Sequence, residues 1–288
     1  MLHISDVEKR LRDNPEPIEV TNIRNNIIQS FQKLKFIEDG HKYYVENDDG
    51  TKTELPSVSY VCHQFQPYVN WDLICENKAS KLGIPVDVLQ RQWKENNLKS
   101  TNNGSKTHLF GEYLMSFVQG DFSKIKELQY QFEDGFVIPY SKKEEAIVSF
   151  YEDILKIENI YPVMAESKIY TGLNDTLQLK QNYSGTFDML FAYKNKKGNF
   201  DLLIYDYKTN KELENQYNIS FNNTLLPPFN NYIDQSKSIY TIQLSAYQLG
   251  IEQLGYNVVD RKLIWLKDNG EYEKISLEDV TDILRKTL

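Results

Sequence analysis

Long apolar runs, cysteine and positive charge are all scarce in this chain of 288 residues. No stretch approaches the run of about 18 apolar residues that a membrane-spanning helix needs. The start, Met1 to Arg12, mixes charged with apolar residues where a leader would carry an apolar block. The expectation is a soluble, unexported, cytoplasmic chain with no membrane partner. Only two cysteines occur, Cys62 and Cys75, and neither belongs to a C-x-x-C pair. That argues against a disulfide framework, a zinc ribbon or an iron-sulfur cluster, and leaves two idle thiols in a reducing compartment. Lysine and arginine number 33 against 41 aspartates and glutamates, a net charge of -8. A protein that coats nucleic acid nonspecifically needs clustered cations to neutralise phosphates, so that class is disfavoured. A site that holds divalent cations needs the opposite, a cluster of carboxylates, with at most a short basic groove beside it.

What is present suffices for a globular core: 40% of the residues are hydrophobic. The first segment reads as helix, with Thr21 as N-cap before Ile23, Ile27, Ile28, Phe31 and Leu34 at helical spacing. A small β-meander follows, with strands at Phe36-Ile37, His41 to Glu46 and Thr51 to Leu55, separated by turns at Asp39-Gly40 and Asp48-Asp49-Gly50. From Ser57 to Gln119 the pattern is helical in pieces, broken at Pro67, at Gly83 with Pro85, and at Thr101-Asn102-Asn103-Gly104. After a helix over about Lys142 to Glu158 the pattern turns to strands: Val163 to Tyr170, Gly185 to Tyr193 and Phe200 to Lys208. A second long helix, about Ile233 to Leu254, leads to a strand at Val258 to Leu266, a turn at Asp268-Asn269-Gly270, a short strand and a closing helix after Ser276. This order predicts an α/β core with a mixed sheet flanked by helices. Residues 1-100 form the helical and β-meander elaboration packed on it, and residues 101-288 form the core. The loop from Glu212 to Asn231, rich in Asn and holding Pro227-Pro228, is the candidate mobile or inserted segment.

The chemistry gathers on two apolar runs, Asp188 to Tyr193 and Phe200 to Asp206, joined by Lys194-Asn-Lys-Lys-Gly-Asn199. That is a hairpin signal centred near Lys197, and folding about that centre sets Asp188 opposite Asp206. Directly opposed residues have Cβ atoms about 4.5 to 5.5 Å apart, so two carboxylates share one small volume. Like charges so placed are destabilising unless a divalent cation with oxygen ligands compensates. Lys208, two residues beyond Asp206, leaves the sheet on the same face; Tyr207 points away, with its backbone carbonyl turned toward the cation. An isolated D-x-K is commonly a surface salt bridge. Here Leu202 to Tyr205 is almost continuously apolar, which marks a buried central strand whose terminal charges need a stronger reason.

Other groups are open to two readings. Glu166, among apolar neighbours on its strand, is either an exposed-face residue or a ligand. His108 and Glu112, four apart, share one face of a helix beginning near Ser105. They are either a ligand with its orienting carboxylate or an ordinary surface pair. Gln243 and Tyr247 share a helical face, which taken alone is the polar edge of an amphipathic helix. Lys194, Lys196 and Lys197 at the hairpin tip and Lys142-Lys143 at a helix start read as solvated surface in preference to a phosphate track.

Taken in order, G-x-x-x-H-x-x-x-E, a Glu, Gly185-Thr-Phe-Asp188, Asp206-Tyr-Lys208-Thr209 and Q-x-x-x-Y resemble the PD-(D/E)XK nuclease superfamily, in its RecB-like branch of exonucleases. The likeness spans about Gly104 to Leu266, with a weaker similarity to phage-encoded members through His41-Lys-Tyr-Tyr and Pro56-Ser-Val-Ser. It implies a restriction-endonuclease-like core and hydrolysis of DNA, single- or double-stranded, in recombination, repair or phage genome processing, alongside other recombination or replication proteins and, for a phage protein, in the host cytoplasm. It implies that His108, Asp188, Asp206 and the Tyr207 carbonyl bind metal, with Glu166 bound directly or through water. Lys208 would position the attacking hydroxide, Gln243 and Tyr247 would hold the lysine side or the strand, and Glu112 and Thr209 would support the site. One or two Mg²⁺ or Mn²⁺ ions suit an oxygen-rich set with at most one imidazole. Members with an iron-sulfur cluster need four cysteines, and this chain has two. An endonuclease of the same fold and a catalytically silent nucleic-acid-binding module are the alternatives.

Overall fold

A computed structural model describes residues 1-38, 40, 42-128, 132-133, 135-174 and 176-288. The expected turn residue Asp39 and strand start His41 lie outside the described residues. The chain is mixed α/β. Its centre is a five-stranded sheet built from β6 (Ile160–Tyr170), β7 (Ser184–Lys194), β8 (Phe200–Lys208), β9 (Val258–Leu266) and β10 (Tyr272–Ser276), ordered β10-β9-β8-β7-β6. Three of its pairings are antiparallel. The pairing of β8 with β9 is parallel, because the connection between them is a long crossover that carries α8 (Gln216–Ser220) and α9 (Ser236–Glu252).

Both faces of the central strands are covered. On β8, Leu202 and Ile204 join the core shared with α9, whereas Leu203, Tyr205 and Tyr207 join the core on the opposite face. Period-two alternation therefore aims successive side chains into two different helical layers. The first layer holds α2 (Ile18–Phe31), α3 (Val58–His63), α9 and α10 (Thr281–Thr287), together with the meander β1 (Leu34–Ile37), β2 (Lys42–Glu46) and β3 (Lys52–Leu55). The second holds α1 (Ile4–Asp13), α5 (Val86–Gln119) and α7 (Lys142–Leu155). The peripheral elements are α4 (Trp71–Leu82), α6 (Phe122–Glu127), β4 (Phe132–Glu133) and β5 (Phe136–Val137). Cys62 and Cys75 are free and buried, and burial pushes the Cys62 thiol up to about 12. Among the described residues no helix is long and apolar enough to cross a membrane.

Several boundaries differ from expectation. A helix, α1, precedes the expected first one; it is capped by the His3 side chain and anchored by Val7. Helix α2 begins at Ile18, after Pro17, so Thr21 lies inside its first turn and its hydroxyl donates to Glu16. The most consequential difference is α5, which runs unbroken through Thr101-Asn102-Asn103-Gly104 and across residues 100-101. Asn and Gly each cost roughly 0.5–1 kcal/mol inside a helix. Burial of Phe110, Tyr113, Leu114 and Phe117 outweighs that, since each contributes about 1.5–3 kcal/mol. Helix α7 stops at Leu155, because Lys156 and Ile157 bond back to Asp153 and Ile154 and close the last turn. Helix α9 starts at Ser236, since Ile233 is drawn into a bridge with Thr224. The Asn-rich loop before it is tethered by buried Phe229, whose ring meets that of Phe65 at 4.8 Å.

One glycine sets the spacing between α5 and the sheet. A Cβ on Gly111 would lie 2.4 Å from Tyr207 Cε2, where both residues are buried. The ring of Tyr207 cannot retreat freely, because its hydroxyl donates to Tyr151 Oη at 3.1 Å. Gly111→Ala is therefore expected to destabilise the protein by about 1–3 kcal/mol through overpacking, measured by urea unfolding. An unchanged midpoint would show that the helix-to-sheet spacing is not fixed here.

Candidate functional site

The site begins as a matter of register. Strands β7 and β8 pair from Lys194↔Phe200 to Met189↔Tyr205, and just beyond that last rung lie Asp188 and Asp206, where the Asp188 side chain takes the Tyr207 amide. On the other side of β7, Ala165↔Met189 and Ser167↔Phe187 flank Glu166 and Asp188. Three carboxylates thus come from three neighbouring strands, at the level where regular pairing lapses. Regular pairing breaks at Glu166, whose φ of 45° lies in the left-handed region. That conformation costs a non-glycine residue about 1–3 kcal/mol and persists only where the surroundings over-determine it.

Helix α5 supplies the compensation from one side. Its His108 Nδ1 lies 3.3 Å from Asp188 Oδ2 and 3.4 Å from Glu166 Oε1. One ligand atom from each of these three residues falls within 4.8 Å of the others. Asp188 Oδ2 also accepts from the Tyr207 backbone N–H at 2.7 Å. Helix α9 supplies the other side. Lys208 Nζ sits 2.6 Å from Asp206 Oδ2 and 4.1 Å from the Tyr240 ring centroid, and it donates to Gln243 Oε1 at 3.5 Å. Gln243 Nε2 in turn donates to Tyr247 Oη at 3.0 Å. Gly185 leaves room for that tyrosine, since a Cβ there would meet Tyr247 Cε1 at 2.8 Å.

Proton affinities follow from this crowding. Burial raises Glu166 to about 7, with Asp188 adding to the rise and His108 opposing it. Asp206 is raised to about 6 by burial and then by Asp188, against the pull of Lys208. Burial would raise Asp188 too, but His108, Lys208 and the Tyr207 amide reverse it and hold Asp188 low. His108 and Lys208 are both raised, because adjacent carboxylates outweigh the burial that would lower them. The site is thus short of positive charge even with both cations in place.

Do these residues fit a divalent metal? Asp206 is only 2% exposed, and its Oδ2 meets Lys208 as an ion pair without a well-directed hydrogen bond. A nearly buried oxygen with unused acceptor capacity, beside a converging His-Glu-Asp set, fits a hard cation with mostly oxygen ligands. His108, Glu166 and Asp188 are placed to hold it, with Asp206 adjacent.

Of the residues expected from sequence, Glu166, Asp188, Asp206, Lys208, His108, Gln243 and Tyr247 come together here. Glu112 does not orient His108: it pairs with Lys124 at 2.7 Å, because α6 brings that ammonium to its side of the helix. Thr209 lies at the edge of the site, where its carbonyl accepts from Lys143. Tyr207 contributes its amide to Asp188 and turns its ring into the opposite core. The residue that sequence reasoning missed is Tyr240, whose ring covers Lys208. Its signal was present, since Tyr240 is three residues before Gln243 on one helical face.

Comparison of the chain with models of known protein families and with curated proteins finds no match to either.

If the carboxylates are a cation site, Mn²⁺ at a hundredfold its dissociation constant should stabilise the fold by about 2.7 kcal/mol, read as a rise in Tm by scanning calorimetry. Asp188→Asn should lose most of that rise. A wild-type Tm indifferent to Mn²⁺ would remove the metal reading.

Proposed function

We propose that this chain is a metal-dependent nuclease of the PD-(D/E)XK type, with a restriction-endonuclease-like core, that hydrolyses DNA phosphodiester bonds as an exonuclease. The observation that carries the reading is the convergence of carboxylates from β6, β7 and β8 with His108, and of Lys208 on Asp206. Few other purposes account for that much like charge at the end of a buried strand. The ordered motifs between Gly104 and Leu266 add to it. The nuclease reading thus rests on motif order and local chemistry.

Mg²⁺ or Mn²⁺ held by His108, Glu166 and Asp188, with Asp206 beside them, would lower the pKa of water and neutralise charge on phosphate oxygens. The chain's own part is largely positioning. Lys208 carries a fixed positive charge, because Asp206 and Asp188 keep its proton in place, and it is aimed into the site by Asp206, Gln243 and the face of Tyr240. That ammonium orients the attacking hydroxide by hydrogen bonding and stabilises the negative charge that builds on the phosphorane-like transition state. Water oxygen bonds to phosphorus, a phosphorus–oxygen ester bond breaks, and the departing oxygen takes up a proton. The Tyr247-Gln243 pair holds Lys208 from the far side, so its role is positioning and not contact with the reacting atoms. Glu166 and Asp188 favour the protonated form of His108, so His108 would have to give up that proton to serve as a ligand.

Linear DNA degraded in Mn²⁺ or Mg²⁺ while covalently closed circles persist is the expected result; cleavage of both would identify an endonuclease of the same fold. Lys208→Ala and Asp206→Asn should each lower cleavage by about a hundred- to a thousandfold with the circular dichroism spectrum retained. Cleavage that survives both substitutions, or no cleavage of any DNA by the wild-type chain, defeats the proposal.

A further inference from the structure

Resting on the nuclease reading, the next question is which form of DNA reaches Lys208. A groove of about 1120 Å³ opens directly onto Lys208 and Gln243. Its walls come from α3, α4 and the segment around α8, and two of its lining side chains are large aromatics left 66% exposed, Trp71 and Tyr217. Much of the remaining lining is amide and hydroxyl: Gln66, Asn215, Gln216, Asn218 and Ser236. Exposed ring faces set among amides match the two needs of an unpaired nucleobase, a stacking platform and hydrogen-bond partners for its edge.

Charge separates the groove from a phosphate track. Glu212, Glu214 and Asp234 line it, and they repel a phosphodiester backbone while accepting from the exocyclic amines of bases. A second cleft, of about 510 Å³, is lined by Lys106, Lys142 and Lys143 together with Glu144 and Asp268, and Lys142 and Lys143 pair with Glu145 and Asp268, so it supplies no clear phosphate track either. A blunt duplex has its bases already stacked and its edges paired, so it can use neither the rings nor the amides, and an acidic groove offers it nothing in exchange.

We infer that the groove beside Lys208 seats an unpaired DNA strand, with bases stacked on Trp71 and Tyr217, so that the preferred substrate is single-stranded DNA or a frayed end. Binding is measured in EDTA, where no cleavage occurs, with a fluorescein-labelled mixed-sequence strand of about 20 nucleotides, longer than ordinary single-strand sites, and the blunt duplex it forms with its complement. The strand should bind about tenfold more tightly than the duplex, and Trp71→Ala with Tyr217→Ala should erase that margin. Trp71→Phe with Tyr217→Ala, which keeps one aromatic face where the double alanine variant has none, should retain a measurable part of the margin. Both side chains are exposed, so the variants keep their fold. Equal affinity for strand and duplex, or a double variant that binds the strand as before, overturns the inference. So does a double variant whose change is in oligomeric state instead of strand affinity. Cleavage in Mn²⁺ is scored separately: duplex digestion without strand preference sinks the groove and spares the nuclease, whereas strand preference without any cleavage does the reverse.

Discussion

Repulsion among Glu166, Asp188 and Asp206 is the constraint around which the rest of the sheet is arranged. Three acidic side chains converging from adjacent strands oppose the very pairing that brings them together, and burial deepens the conflict by removing water that would screen them. Part of the cost appears locally, in the left-handed backbone of Glu166 and in carboxyl groups held up toward neutrality. The remainder is met by neighbouring elements. His108 is delivered from α5 on one side and Lys208 is steered by α9 on the other, so neither helical layer alone completes the site.

That division explains why helix positions far from any carboxylate are restricted. Gly111 lets α5 approach Tyr207 closely, and Tyr207 in turn offers its amide to Asp188. Gly185 does the same service for Tyr247, which reaches Gln243 and through it Lys208. Two missing methyl groups therefore set the distances at which imidazole and ammonium meet the acids. Overpacking either contact would act on charge compensation as well as on packing. A strained residue among the clustered carboxylates and close-packed glycines behind the site belong to one physical design, in which the fold supplies stability and the site spends some of it.

How much of this was legible in the sequence depended on how local the cause was. The nearness of Asp188 and Asp206 is legible from the centre of one hairpin, whose pairing runs to Met189↔Tyr205 just short of them, and Lys208 follows from the period of two, since no distant contact is needed. Glu166 was ambiguous because its neighbour Asp188 comes from a strand beyond a long loop, and the broken pairing that exposes its role is visible only in three dimensions. Helix α5 was read as interrupted at Gly104, since Asn-Asn-Gly is a turn signal locally and only the buried face downstream, from Phe110 to Phe117, outvotes it. Glu112 was given to His108 because both lie on one helical face. Its partner was decided instead by Lys124 on α6, whose position no spacing rule predicts. Whether residues 1-100 behave as a separate unit is likewise a tertiary matter: α2 and the meander share a core with β6 to β9, and α5 runs straight across the expected boundary.

An acidic chain proposed to act on a polyanion looks contradictory only if affinity must come from lysine and arginine. Net charge of -8 leaves little long-range attraction for a phosphate backbone. In this molecule the cation that neutralises phosphate would be borrowed from solution and concentrated by the carboxylates, while contact area would come from rings and amides that are indifferent to charge. Such a division favours substrates whose bases are already accessible over those whose bases are shut inside a helix. It also keeps strong electrostatics confined to the few ångströms around Asp188 and Asp206, where field strength would contribute to bond breaking instead of to holding the product. The scarcity of positive charge that sets aside a nucleic-acid coat is therefore compatible with the proposed nuclease, which would have to release what it cuts.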